Sequence, residues 1–263
     1  HHNIFTNKIA YINMSFDTKC VPDELIPYMG LLGSTLSLMD TKNYTYPELT
    51  NEININCGGL ATGTALYSDK VDFSKNTIVY EVKSKALYEK VPFVLGMMEE
   101  IMYNTRFDDY KRLKEIIARI KSRLEASLMG QGHSIAMLEC CAQFSESAYY
   151  SDILRGYKYY EFIKKLDEEF EQNKTQIVDK LNKLVGYIFN KDNVIVSLTA
   201  DDEGYDCFVK ALSAKSCNIK DEHYNTAVRS FIPVNVKTGY TSASQVQYVA
   251  RCGNFVKDGY KYT

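Results

Sequence analysis

Tyr11-Ile-Asn-Met-Ser-Phe-Asp-Thr18, Val21-Pro-Asp-Glu-Leu-Ile-Pro-Tyr28, Tyr44-Thr-Tyr-Pro-Glu-Leu49 and Cys57-Gly-Gly-Leu60 follow one another early in the chain. In the first, Ala10, Ile12, Met14 and Phe16 alternate with Tyr11, Asn13 and Ser15. A period of two predicts a half-buried strand. Pro22 and the acids Asp23 and Glu24 then suit the first turn and positive end of a helix. Leu25, Tyr28, Leu32, Leu36 and Met39 recur at helical spacing, which predicts one apolar face running to Met39. Thr45 and Glu48 form a capping box for a short helix through Leu49 and Ile53. Gly58-Gly59 ends it, since glycine accepts the left-handed conformation past a helix terminus.

Outward from this stretch, residues 60–67 and 77–87 read as strands. Ser68-Asp69-Lys70 and Ser74-Lys75-Asn76 supply the turn between them. The period then becomes helical. Helices are predicted at 91–103, 110–128, 134–144, 157–170 and 175–189, with Gly130-Gln131-Gly132 breaking the second from the third. A short strand at 193–199 and a helix at 203–213 follow. Strands and helices are partly segregated, which predicts an α+β fold: a layered, antiparallel-type sheet with helices on one face. Residues 216–225 read as a polar connector. Residues 230–236 and 245–250 read as two strands with too little behind them for a core. The expected organisation is a first domain over 1–215, and a connector plus the first strands of a truncated domain over 216–263.

The chain has 263 residues, 45% hydrophobic and 24% charged, with net charge -2, an ordinary globular composition. No overall basic field attracts nucleic acid or an acidic membrane. No apolar run approaches the roughly 20 residues that span a bilayer. Phe5 onward reads as strand, not as a signal peptide. His1-His2 is either a tag remnant or native. The seven cysteines, Cys20, Cys57, Cys140, Cys141, Cys207, Cys217 and Cys252, are scattered without a Cys-x-x-Cys. Free thiols and a reducing compartment, cytoplasm or organelle matrix, are the expectation.

Several residue groups invite a chemical reading. His133 with Cys140 and Cys141 approaches one helix face, but a fourth ligand is missing and cysteine commonly packs as a small hydrophobe. Lys111, Arg112, Lys114, Arg119, Lys121 and Arg123 interleave with Leu113, Ile117 and Ile120, the pattern of a solvated helix face. Gly58-Gly59 with Gly63 lacks the Lys-Ser/Thr ending of a phosphate loop and follows a helix where such a loop precedes one. Asp201-Asp202-Glu203 fits a helix start. Tyr149-Tyr150 and Tyr159-Tyr160 fit core packing, with a peptide groove as the alternative.

The opening series resembles the start of the third of four similar domains in insulinase/pitrilysin-family zinc peptidases, in the presequence-protease (falcilysin-like) branch. Gly132-His-Ser-Ile-Ala136, Gly156-x-x-Tyr159-x-x-Phe162 and Gln245-Val246-x-Tyr248-Val249 with Gly253-Asn254 are similar to later family segments in the same order. The resemblance implies a duplicated α+β fold enclosing unstructured peptides in a chamber between two halves. It implies zinc in the N-terminal half, where His-x-x-Glu-His and a downstream glutamate supply ligands and base. None of the four histidines here begins that motif: Ser-Ile-Ala-Met follows His133 and Tyr-Asn-Thr-Ala follows His223. No catalytic, metal or substrate-binding residue is therefore carried over, and no cofactor is expected in this chain. The implied partners are the catalytic N-terminal half of the same polypeptide and unstructured peptides, not nucleic acid or membrane. The alternatives are a stand-alone peptide- or partner-binding module that uses a sheet edge, and an inactive subunit of a heterodimeric processing peptidase.

Overall fold

The computed structural model describes residues 4–72, 75–214, 220–241, 245–255 and 259–260. His1-His2, Ser74, Cys217 and part of the predicted connector lie outside them. The element order is β1 (Ile9–Asp17), α1 (Ile26–Thr35), α2 (Tyr46–Asn56), β2 (Leu60–Ser68), β3 (Asn76–Leu87) and α3 (Val91–Tyr103). Then come α4 (Tyr110–Gly130), α5 (Gly132–Ala142), α6 (Glu146–Arg155), α7 (Tyr157–Glu168), α8 (Phe170–Ile188), β4 (Val194–Thr199) and α9 (Asp202–Ala214).

The four strands form one sheet in the order β2-β3-β1-β4, with every neighbouring pair antiparallel. This is the predicted α+β architecture. β1 sits inside the sheet because both its edges are paired: Phe16 faces Tyr80 of β3 and Val194 of β4. Its apolar set, Ala10, Ile12, Met14 and Phe16, is at most 1% exposed. Burying a Phe or Met of this kind stabilises the fold by about 1.5–3 kcal/mol. Phe189, just past α8, packs edge-on against Phe16 and Tyr80 with ring centroids 5.1 and 5.6 Å apart. It thereby locks the end of the helical layer onto the sheet.

Several boundaries differ from expectation. The first helix opens with a 3-10 turn at Asp23–Leu25 and stops at Thr35, because Leu36 turns to an extended ψ of 138° and Ser37 adopts φ 67°. Leu36 and Met39 are still buried, at 1% and 0% exposure, so their burial was read correctly and their helicity was not. The strand expected from Phe5 starts at Ile9, and Phe5 is 84% exposed. Helix α6 was not expected. Ser145 starts it by accepting the Ala148 N–H. Residues 230–236 and 245–250 form no strand. The Val234 and Val236 amides bond to Gln143, at the end of α5, instead of to a partner strand.

Gly30 and Gly59 serve geometry. A Cβ on Gly30, within α1, would lie 2.8 Å from the Tyr159 ring and 2.9 Å from the Leu154 carbonyl, so α1 meets α6 and α7 at backbone contact. Gly59 has φ +110°, a left-handed conformation that side chains resist, where the chain leaves α2 for β2.

Candidate functional site

The sheet has one face buried under helices and one left open. Strand alternation places Tyr11, Asn13 and Ser15 of β1 on the open side, with Glu81, Lys83 and Lys85 of β3 as their cross-strand partners. On β2 the same face carries Ala61, Gly63, Ala65 and Tyr67, and on β4 it carries Ile195, Ser197 and Thr199. Tyr11, Tyr67 and Ile195 are 44%, 53% and 74% exposed, and a Cβ built on Gly63 meets no atom within 4 Å. The small β2 residues leave a shallow trough, with Glu81 and Lys83 beside it and Tyr67 at one end. Both outer strands, β2 and β4, pair on one edge only among the described residues.

Glu81 is the centre of this face. It is only 6% exposed although, among the described residues, no helix covers it. Lys83 Nζ lies 2.6 Å from Oε2. Tyr67 Oη donates to Oε1 at 2.9 Å, Asn13 Nδ2 at 3.1 Å and Ser15 Oγ at 3.5 Å. Burial by itself raises its pKa, but the bonds from Lys83, Asn13 and Tyr67 outweigh that and hold it below the ordinary carboxylate value. The Tyr67 phenol is raised, first by donating to Glu81. Asn13 Oδ1 is buried without a hydrogen-bond partner. The face thus offers an anchored carboxylate, a half-exposed ammonium and two exposed tyrosines on adjacent strands. Such a surface is suited to holding an extended polar chain.

The residues singled out from sequence lie elsewhere. His133 packs its ring on Tyr248 (centroids 5.9 Å apart), whereas Cys141 Sγ donates to Cys252 Sγ at 3.3 Å. Among the described residues no cluster of three His, Cys, Asp or Glu is placed to hold a metal ion. The basic face of α4 pairs with acids: Lys114 with Glu171 at 2.8 Å and Lys121 with Asp167 at 2.6 Å, while Arg112 lies 3.9 Å over the Tyr46 ring. Gly58 donates its N–H to the Lys85 carbonyl, an ordinary contact after a helix. Asp201 Oδ1 accepts the Gly204 N–H at the start of α9, and a bond from Tyr88 helps hold its carboxyl low.

Tyr150 and Tyr159, each 3% exposed, pack in the helical layer and not on the open face. Burial pushes the Tyr150 phenol up to about 12. A cavity of about 270 Å³ lies between α4, α5 and α7, lined by Leu124, Leu128, Ile135, Leu138 and Tyr160 among others. It belongs to the helical layer and is remote from the Glu81 network. Among the described residues no helix is long and apolar enough to cross a membrane.

Residues 220–241 cross the helical layer as an extended strap. Tyr224 packs on Tyr187 at 4.6 Å, and the Ala227 N–H bonds to the Lys19 carbonyl. The Arg229 guanidinium donates to the carbonyls of Thr18 and Val21. Val234 and Val236 donate their N–H groups to the carbonyl and side chain of Gln143. Tyr240 then meets Tyr157 with centroids 4.2 Å apart.

Comparison with known proteins fits this architecture. A family model for the domain associated with peptidase M16, subfamily C, matches residues 1–166. The chain is 35% identical over its full length to Protein HypA of Clostridium perfringens, of which it covers 27%. It is 25% identical over 99% of its length to Presequence protease 1, chloroplastic/mitochondrial, of Arabidopsis thaliana, covering 24% of that protein. It is 29% identical over 72% of its length to the mitochondrial presequence protease of Drosophila melanogaster, covering 18%. The chain therefore spans about a quarter or less of these relatives. A crystal structure described as a peptidase M16 inactive domain, from Pseudomonas fluorescens, shares the fold with TM-score 0.53 at 15% identity over 88% of this chain and 50% of that one. A conserved protein from Enterococcus faecalis gives TM-score 0.58 at 12% identity, over 83% and 49%. The resemblance read from the sequence and the family found by comparison agree: the chain belongs to the family of domains associated with subfamily C of the M16 peptidases, as a non-catalytic region related to the presequence proteases.

Proposed function

We propose that this chain forms part of the wall of a peptide-enclosing chamber in a zinc-dependent oligopeptidase. The catalytic half would be another part of the same polypeptide. Residues 1–215 act as a third-domain-like unit, and 216–263 lead into a fourth. The observation that carries the reading is the open sheet face. An antiparallel sheet can leave one face to water; here that face keeps tyrosines and Ile195 in solvent around the buried Glu81 network, a mixed polar and apolar surface that another part of a larger protein or a peptide can meet. Its relatives, among them presequence proteases, are much longer than the chain, which leaves room in them for further walls. Unstructured peptides are the substrates that such a surface suits, because an extended chain offers amides and side chains to a flat array of tyrosines and an ammonium.

The test is cleavage of an unstructured peptide of a few dozen residues, followed by mass spectrometry in the presence of zinc. The expected result is cleavage only when complete catalytic and non-catalytic halves are both present. Cleavage by this chain alone overturns the proposal. In the full-length parent, Tyr67→Ala and Lys83→Ala are expected to raise KM for long peptides more than they change kcat.

A further inference from the structure

We propose that Cys141 and Cys252 are a reversible oxidation site: a disulfide between them fastens the strap to helix α5. The inference is independent of the peptidase reading. The two sulfurs lie 3.3 Å apart, and Cys252 Sγ also points to the Met137 carbonyl, one turn earlier on α5. A disulfide needs about 2.05 Å between sulfurs, so a small adjustment of two side chains closes the gap. Both residues are half-buried, which leaves them within reach of a small oxidant. Neighbouring contacts hold the strap in place for the reaction. Tyr248 packs on His133 and the Ala250 carbonyl accepts from Cys140 Sγ, so strap residues on either side of Ala250 touch the same helix. Earlier in the strap, hydrogen bonds through Arg229, Val234 and Val236 fix the path. Around Cys252 itself, the Tyr248 ring and the Ala250 carbonyl already lie against α5, so a covalent bond there reinforces an existing contact.

The oxidant required is a peroxide. One thiolate attacks a peroxide oxygen, the O–O bond breaks, and a sulfenic acid forms as the departing oxygen takes a proton and leaves as water. The second thiolate attacks the sulfenic sulfur, the S–S bond forms, the S–O bond breaks, and the oxygen leaves as a second water. Two thiols and one hydrogen peroxide thus give one disulfide and two waters. Burial raises the pKa of the Cys252 thiol, and its contact with Cys141 adds to that. The thiolate is the reactive form, so oxidation is expected to quicken as pH rises above neutral.

The experiment treats the intact, folded chain with hydrogen peroxide, blocks remaining thiols, and maps the unreduced digest by mass spectrometry. Cys140 and Cys141 are adjacent, so Cys140→Ser and Cys141→Ser variants identify the partner. The expected result is an intramolecular Cys141–Cys252 link that survives in Cys140→Ser, is lost in Cys141→Ser and Cys252→Ser, and reverts with a dithiol reductant. Amide exchange across residues 245–255 is expected to slow severalfold on oxidation and recover on reduction. No linked pair, a link to Cys140 in the native chain, links only between molecules, or unchanged exchange despite the link would each overturn the proposal.

Discussion

Glu81 is low in exposure on an open face because three strands deliver its partners in register. Ser15 and Gly63 are its direct cross-strand neighbours, and Asn13 and Tyr67 reach it from one or two steps along β1 and β2. Hydrogen bonds to a charged group contribute about 1.5–3 kcal/mol each at best, and less where water competes. Glu81→Gln keeps the shape but removes the charge, and is expected to cost about 1–2 kcal/mol in denaturant unfolding. The pH dependence follows from the sign of the shift. The carboxyl is lower in the folded state than in the unfolded chain. Its contribution is therefore present above the unfolded value of about 4.3 and is lost as pH falls through the folded value. The variant should accordingly show a shallower loss of stability on the acid side, with the two proteins converging at the lowest pH. An unchanged acid slope would count against the network. Only part of this site was legible beforehand. The alternation of Asn13, Ser15, Glu81 and Lys83 marked polar strand positions, but meeting Tyr67 depends on the strand order, which local pattern does not carry.

At the scale of elements, agreement follows the clarity of the period. α3 emerged at its predicted limits because its dense apolar face is unbroken, and β1 kept its alternating core but began later than the expected Phe5. The first helix was overextended because Leu36 and Met39 keep helical spacing by number while a turn at Ser37 carries them into the core another way. α6 was missed because Glu146-Ser-Ala-Tyr-Tyr-Ser-Asp reads as polar. Tertiary contacts, with α5 and α7 above all and also with α1 and β2, make Tyr150 and Leu154 its buried face. Its carbonyl at Leu154 lies against α1 at Gly30, and this contact gives an element-scale prediction. Gly30→Ala improves helix propensity by nearly 1 kcal/mol in an isolated helix. Here the new methyl meets a backbone carbonyl that cannot rotate away, and overpacking costs about 1–3 kcal/mol. The expected result is a lower denaturant midpoint with an unchanged m-value. A stabilised variant would mean that α1 and α6 stand farther apart than described.

For the whole molecule, the alternation at Phe231–Val236 and Gln245–Ala250 is genuine, and it fails to make strands for a topological reason. β2 and β4 are the outer strands, and among the described residues no strap segment pairs with either. The strap crosses the helical layer, where its amides meet Lys19 and Gln143. Ile232, Val234 and Val236 remain more than half exposed, a pattern suited to pairing with further chain in a larger protein. The anchor of this arrangement is Arg229. Its guanidinium reaches the Thr18 and Val21 carbonyls where β1 hands over to the first helix, and lies 5.9 Å from the Tyr150 ring centre. Removing it leaves those carbonyls without that donor but leaves the sheet's own ladder intact. Arg229→Ala is therefore expected to raise amide exchange severalfold across 227–236, with β1 and β3 unchanged, because the strap opens locally while the core does not. Equal loss of protection in strap and sheet would show instead that the strap is part of the cooperative core. In that case the strap could not serve as a separable lead into a further domain.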